Sequence, residues 1–111
     1  MAQFEKTLFH RDLWDTANVL NQRILDSAYS MELAGETNWQ GDGVTVLTRV
    51  YEKYFMRASN RATITITMVQ TGDTLYISGI SAGGGQGAIF RFSWGAEEDF
   101  ASDVEALVDE L

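Results

Sequence analysis

His10 is the single histidine of the chain, and there is no cysteine. A histidine-based metal site would have to be completed by carboxylates, and a Ser-His-Asp relay would have to be built on that one imidazole. No nucleophile motif accompanies it. Its place between an alternating segment and a helical one suits a surface or capping role. The missing thiols remove disulfides, thiolate nucleophiles and sulfur-ligated metals or clusters. Carboxylates do occur in runs, Glu97-Glu98-Asp99 and Asp109-Glu110. Both runs fall on the solvated side of a terminal helix, where the desolvation that raises a carboxyl pKa for acid catalysis is lacking.

The most unusual segment is Ser81-Ala82-Gly83-Gly84-Gly85-Gln86-Gly87. A phosphate-cradling loop opens a helix, so that backbone N–H groups and the helix dipole converge on the anion, and a lysine commonly follows. Here a strand pattern follows, without a lysine. Gly83, Gly84, Gly85, Gln86 and Gly87 therefore read as a flexible hairpin connection in which glycine permits positive φ or a bulge. The functional alternative is a flap, or a surface that a ligand or second subunit approaches closely. Trp14, Trp39 and Trp94 could line a pocket, although Trp14 and Trp94 also stand at positions expected in the core. No catalytic constellation, metal set or cofactor motif emerges, and the sequence reads as that of a non-enzyme.

Any site must be positioned by the elements around it. Gln3 to Phe9 alternates weakly, with Phe4 and Leu8 as candidate inward residues. From Asp12, a plausible N-cap, Leu13, Ala17, Leu20 and Ile24 recur at helical spacing. Tyr29 to Ala34 alternates as a short strand, Glu36 to Gly43 reads as a turn, and Val44 to Phe55 reads as a long strand apolar on both faces. Ala62, Ile64, Ile66 and Met68 alternate with threonines in the cleanest strand pattern of the chain. Gly72-Asp73 then closes a hairpin that pairs Thr71 with Thr74, Met68 with Ile77 and Thr65 with Ile80. Ala88 to Trp94 suggests a last strand, and Phe100, Val104, Leu107, Val108 and Leu111 mark a closing helix. The expected fold is α+β: an antiparallel sheet of five to six strands with two helices on one face, in the order β-α-β(4-5)-α. By analogy that order is like those of TBP-like and helix-grip folds.

The chain has 111 residues, 45% of them apolar, without proline, internal repeat or linker. It is expected to form one domain over residues 1–111, with enough core to fold without a staple. Sixteen acidic residues against eight basic ones give a net charge of −8, which disfavours phosphate backbones, so no nucleic acid is expected as partner. No apolar run approaches the length of a membrane span and no leader pattern opens the chain, so no membrane association is expected. With no cysteine used, a cytoplasmic location fits best. Arg49, Lys53, Arg57 and Arg61 hold half of the cations and read as a solvated face.

Val50-Tyr51-Glu52-Lys53-Tyr54, Ser59-Asn60-Arg61, Ile80-Ser81-Ala82-Gly83-Gly84-Gly85-Gln86 and Trp94-Gly95-Ala96-Glu97-Glu98-Asp99-Phe100 together resemble an uncharacterised family of small bacterial proteins, a domain of unknown function found mainly in Firmicutes. The likeness spans nearly the whole chain. The family carries a Ser-Gly-Gly-Ser-type stretch where this chain has Gly83-Gly84-Gly85. The resemblance implies a bacterial, cytosolic, single-domain protein and adds no chemistry.

Two functional expectations follow. The first is a self-associating interaction module, a homodimer built on the outer sheet face. Ile64, Ile66, Met68 and Ile77 point inward in this reading, and Thr65, Thr67, Val69, Tyr76 and Ile80 point outward, joined by Leu47, Tyr51 and Phe55 from the long strand. The second is a binder of a small apolar ligand, held between the sheet and the closing helix near Phe90, Phe92 and Trp94.

Overall fold

The computed structural model describes residues 2–55, 60–83 and 96–111. Five strands and two helices follow in the order β1 (Ala2–Phe9), α1 (Leu13–Asp26), β2 (Glu32–Gly41), β3 (Val44–Phe55), β4 (Asn60–Thr71), β5 (Thr74–Gly83) and α2 (Ala96–Asp109). All strands belong to one antiparallel sheet in the order β1-β5-β4-β3-β2. The α+β class and the helix-framed run of strands are as expected from the sequence. The candidate strand Ala88–Trp94 lies outside the described residues.

Helix α1 starts where the sequence places it. Asp12 is extended and its carboxylate accepts from the Asp15 N–H at 3.0 Å, satisfying one of the first-turn donors that the helix leaves unpaired. A second such donor, the Leu13 N–H, is taken up across the core by Gln70 Oε1 of β4 at 2.8 Å. At the other end Ser27 closes the last turn, its N–H and hydroxyl both donating to the Ile24 carbonyl. Leu13, Ala17, Leu20 and Ile24 are buried as their spacing predicts. Trp14 is a correction: it lies on the solvent side of α1, 37% exposed, one residue off the buried stripe.

The β2 strand is also a correction. Instead of a short strand over Tyr29 to Ala34 followed by a long turn, β2 runs from Glu32 to Gly41, and only Asp42-Gly43 turns. Both turn residues have positive φ, 51° and 78°, the pair of angles a type I′ turn needs to match the twist of its strands. The register shifts between Leu33 and Gly35, a bulge at Ala34. Residues 32–40 are exposed on both faces, so β2 shows no apolar alternation from which sequence could recognise it.

The β4–β5 hairpin has the expected register, with Thr71 opposite Thr74, Met68 opposite Ile77, Ile66 opposite Gly79 and Thr65 opposite Ile80. Gly72 supplies a positive φ of 55° at its turn. Both helices cover one face of the sheet. Phe4, Ile64, Ile66, Met68, Leu75 and Ile77 from the strands are buried with Leu13, Leu20, Ile24, Phe100, Val104 and Val108 from the helices. Lys6 points to this same face from β1, where Asp109 and Glu105 of α2 hold it at 3.0 and 3.1 Å. Hydrogen bonds to those carboxylates raise its pKa above the ordinary lysine value.

Candidate interaction surface

The face turned away from the helices is built by the odd residues of β4 and the even residues of β3 and β5. Across it run Val46, Val69 and Tyr76, then Thr48, Thr67 and Ser78, then Val50, Thr65 and Ile80. Trp39 and Thr37 of β2 extend the first two rows on one side. Among the outward residues of β3, β4 and β5, only Glu52 and Arg61 carry charge, and they bond to each other at 2.8 Å near one end. The Arg61 guanidinium also lies 5.9 Å from the Tyr54 ring centroid. Ile80 is 45% and Trp39 57% exposed. Large apolar side chains thus stand in water on a β-branched surface that carries little charge across β3, β4 and β5, with Glu5 and Glu32 on the flanking strands.

Thr65, Thr67, Val69, Tyr76 and Ile80 occupy the face the sequence assigned them. Leu47 and Tyr51 do not, and this is the principal correction to that assignment. Leu47 pairs with Met68 and Tyr51 with Ile64, so both belong to the helix-covered face, where each is only 2% exposed. Phe55 pairs with Asn60 at the end of the strand. The outward members of β3 are Val44, Val46, Thr48, Val50, Glu52 and Tyr54. β-branched residues suit an exposed pleat, while the longer Leu47 and Tyr51 side chains reach into the core. Of the expected loop, Gly83 ends β5, while Gly84, Gly85, Gln86 and Gly87 lie outside the described residues. So do the candidate pocket residues Phe90, Phe92 and Trp94.

Sequence reasoning missed a polar cluster on the inner face. Arg49 is not part of a solvated face: its side chain is only 13% exposed, its Nε lies 3.3 Å from Glu36 Oε2, and its Nη1 donates to the Ala17 carbonyl at 3.3 Å. Beside it the Tyr51 hydroxyl donates to Asn21 Oδ1 at 2.6 Å. Burial pushes the Tyr51 pKa up, against the opposing charge and hydrogen bond of Arg49. This cluster ties α1 to β3 and β2. Its cross-strand signal, Glu36 opposite Arg49, becomes visible only once β2 is read as a strand.

The enclosed space beneath α1, lined by Ala17, Leu20, Leu47, Arg49, Tyr51, Ile66 and Met68, measures about 10 Å³, room for one water molecule. A shallow groove of about 290 Å³ follows α1 past Thr16 and Val19. Its two arginines are engaged, Arg11 by the Leu111 carbonyl and Arg23 by Glu110 at 3.9 Å. His10 is exposed, with its N–H donating to the Asp73 carbonyl at 2.9 Å and its Nδ1 3.6 Å from the Asp73 carboxylate. Among the described residues no three His, Cys, Asp or Glu side chains are grouped to hold a metal, and no helix is long and apolar enough to cross a membrane.

Two helices beneath one antiparallel sheet, with the opposite face presenting valine, threonine, tyrosine and isoleucine, define a two-layer α+β protein whose most distinctive feature is a surface. The chain belongs to the family of unknown function DUF6054, whose profile matches residues 1–111. No curated protein matches the sequence.

Proposed function

We propose that the protein is a non-catalytic, self-associating interaction module of the bacterial cytoplasm, joining a second copy of itself through the sheet face opposite the helices. The single observation that supports this most strongly is the near absence of charge across β3, β4 and β5 on a face that exposes Ile80 and Trp39. Monomeric proteins seldom leave such a contiguous patch in water. With β1 and β2, which add Glu5 and Glu32 at its flanks, the face of five strands about 4.8 Å apart presents roughly 800 Å², comparable to the area each partner contributes to a standard stable interface, about 800 Å². A twofold axis lets one patch serve both copies, and aligned sheet packing would interdigitate the valine and threonine rows.

The other reading is a small apolar ligand held between the sheet and the closing helix near Phe90, Phe92 and Trp94, a site outside the described residues, where a pocket of roughly 300 Å³ or more would suit it. The test is sedimentation equilibrium at micromolar concentration. Wild-type protein is expected well above the mass of one chain, and Ile80→Glu, which places a carboxylate in the centre of the interface, is expected to lower that mass while leaving the far-UV circular dichroism unchanged. A monomeric wild type, or an Ile80→Glu variant of unchanged mass, rules out the face.

A further inference from the structure

Among the described residues no strand lies on the outer edge of β2, and the contact argued for that edge rests on the reading of the protein as self-associating. The two-residue turn at Asp42-Gly43 makes Gly41 and Val44 the hydrogen-bonded pair beside it, so Trp39, Thr37 and Gly35 also direct their backbone N–H and C=O groups toward β3. Glu36, Asn38 and Gln40 direct theirs away from the sheet. Six backbone polar groups thus line roughly 13 Å of edge, and the side chains on either side of them are exposed. The opposite edge is treated differently. There β1 carries the inward charge of Lys6, clasped by Glu105 and Asp109 of α2, which is a recognised means of preventing strand addition. β2 contains neither lysine nor proline, and Arg49 holds its inward Glu36.

We propose that two copies join their β2 strands antiparallel about a twofold axis through Asn38, forming one continuous ten-stranded sheet. The register follows from three constraints. Outward-bonding residues must face one another, so the axis must relate Glu36, Asn38 and Gln40 among themselves. An axis through Glu36 sets that carboxylate against its own copy, which like charges disfavour, and an axis through Thr37 brings the bulge at Ala34 opposite Gln40. An axis through Asn38 keeps every pair within the regular Gly35–Gly41 stretch. Asn38 then faces its copy, Glu36 faces the partner's Gln40, and Thr37 faces the partner's Trp39. The Trp39 ring already lies folded over Gly41, where a Cβ would sit 2.8 Å from the ring. Gly41 in turn faces the partner's Gly35, so no side chain competes for that space.

The axis stands perpendicular to the sheet and leaves both outer faces on the same side. Edge pairing therefore doubles the face already described, and two such sheets packed face to face make a four-chain assembly with 222 symmetry. Sedimentation equilibrium on four proteins separates the two contacts. Wild type is expected at four chains. Asn38→Pro removes an outward N–H, Asn38→Lys opposes two ammonium groups at the axis, and both are expected to halve the mass to a face-paired dimer with an unchanged far-UV circular dichroism spectrum. Ile80→Glu is expected to give an edge-paired dimer, and Ile80→Glu with Asn38→Lys a monomer. If neither Asn38 variant changes the mass, the edge contact is overturned and the face stands. If those variants dissociate while Ile80→Glu does not, the face fails and the edge stands. A monomeric wild type overturns both.

Discussion

Replacing Gly79 by alanine tests the packing that joins β1 to the core. Gly79 sits directly between Phe4 of β1 and Ile66 of β4, and the Phe4 ring, 5% exposed, lies flat over it. A Cβ at Gly79 would stand 2.6 Å from Phe4 Cζ and closer still to Cε2, contacts that no rotamer adjustment of a methyl can relieve, so the ring must move. Loss of most of a buried phenylalanine's transfer energy costs about 2 kcal/mol, and residual overpacking adds about 1 kcal/mol. Removing a glycine from the unfolded chain returns about 0.5 kcal/mol. The expected net loss is about 2–3 kcal/mol, read as a fall of roughly 8–15 °C in the unfolding midpoint for a domain of this size. Phe4→Ala alone should cost about 3–5 kcal/mol through the cavity it leaves. In that background Gly79→Ala should cost almost nothing, because the only obstacle is gone and the new methyl fills part of the void. Urea unfolding of the four proteins, followed by tryptophan fluorescence, measures the coupling, expected at about 2–3 kcal/mol. If the two costs add within about 0.5 kcal/mol, the ring is not what keeps position 79 free of a side chain.

Three other expectations use the same assays. Asp12→Ala should cost about 1 kcal/mol, since it leaves the Asp15 N–H of α1 without its acceptor; a change below about 0.3 kcal/mol would assign the cap to water. Tyr51 has its pKa raised in the fold by burial, so its neutral form is favoured there, and the stability it contributes is present below the unfolded value and lost as pH rises above about 10. Tyr51→Phe should lose about 1 kcal/mol at neutral pH with the bond to Asn21, yet decline less steeply than wild type in alkali. Parallel declines would contradict the buried phenol. Deleting residues 96–111 strips Phe100, Val104 and Val108 from β5, β1 and β4, each worth about 1.5–3 kcal/mol, and should abolish cooperative unfolding in a domain stabilised by about 5–15 kcal/mol. A truncated chain with a near-native midpoint would make α2 an appendage.

Legibility in the sequence tracked how differently the two faces of each element meet water. The β4–β5 hairpin could be read residue by residue because isoleucines and threonines alternate strictly there and Gly72 pins the turn. Helix α1 was legible for the same reason, with Asp12 as its start. β3 was recognisable as a strand but not orientable: Val44, Val46 and Val50 on one side and Leu47 and Tyr51 on the other are all apolar, so a one-residue slip changes nothing in the pattern while exchanging the faces. The missing constraint was the Asp42-Gly43 turn. With it, Gly41 opposes Val44, Glu36 opposes Arg49, and Tyr51 goes inward. β2 hid that constraint because it is exposed on both sides, and a strand without a buried face leaves no period-two signal. Arg49 is hidden for the same reason, since in sequence an arginine whose partner lies on such a strand is indistinguishable from a solvated one.

The same asymmetry bears on function. The inner face spends its polar residues on holding the molecule together: Arg49 and Glu36, Tyr51 and Asn21, Lys6 with Glu105 and Asp109, Gln70 with the start of α1. Each pairs one element with another. The outer face has the opposite character, with hydroxyls and β-branched aliphatics in rows, the Glu52–Arg61 pair at an end, and Glu5 and Glu32 on the flanking strands. Such a surface has little means of orienting a reacting group, which takes fixed charges or directed donors. A flat partner of like pleat and spacing suits it better, and under the proposed reading that partner is a second copy, which matches it in spacing, chemistry and symmetry.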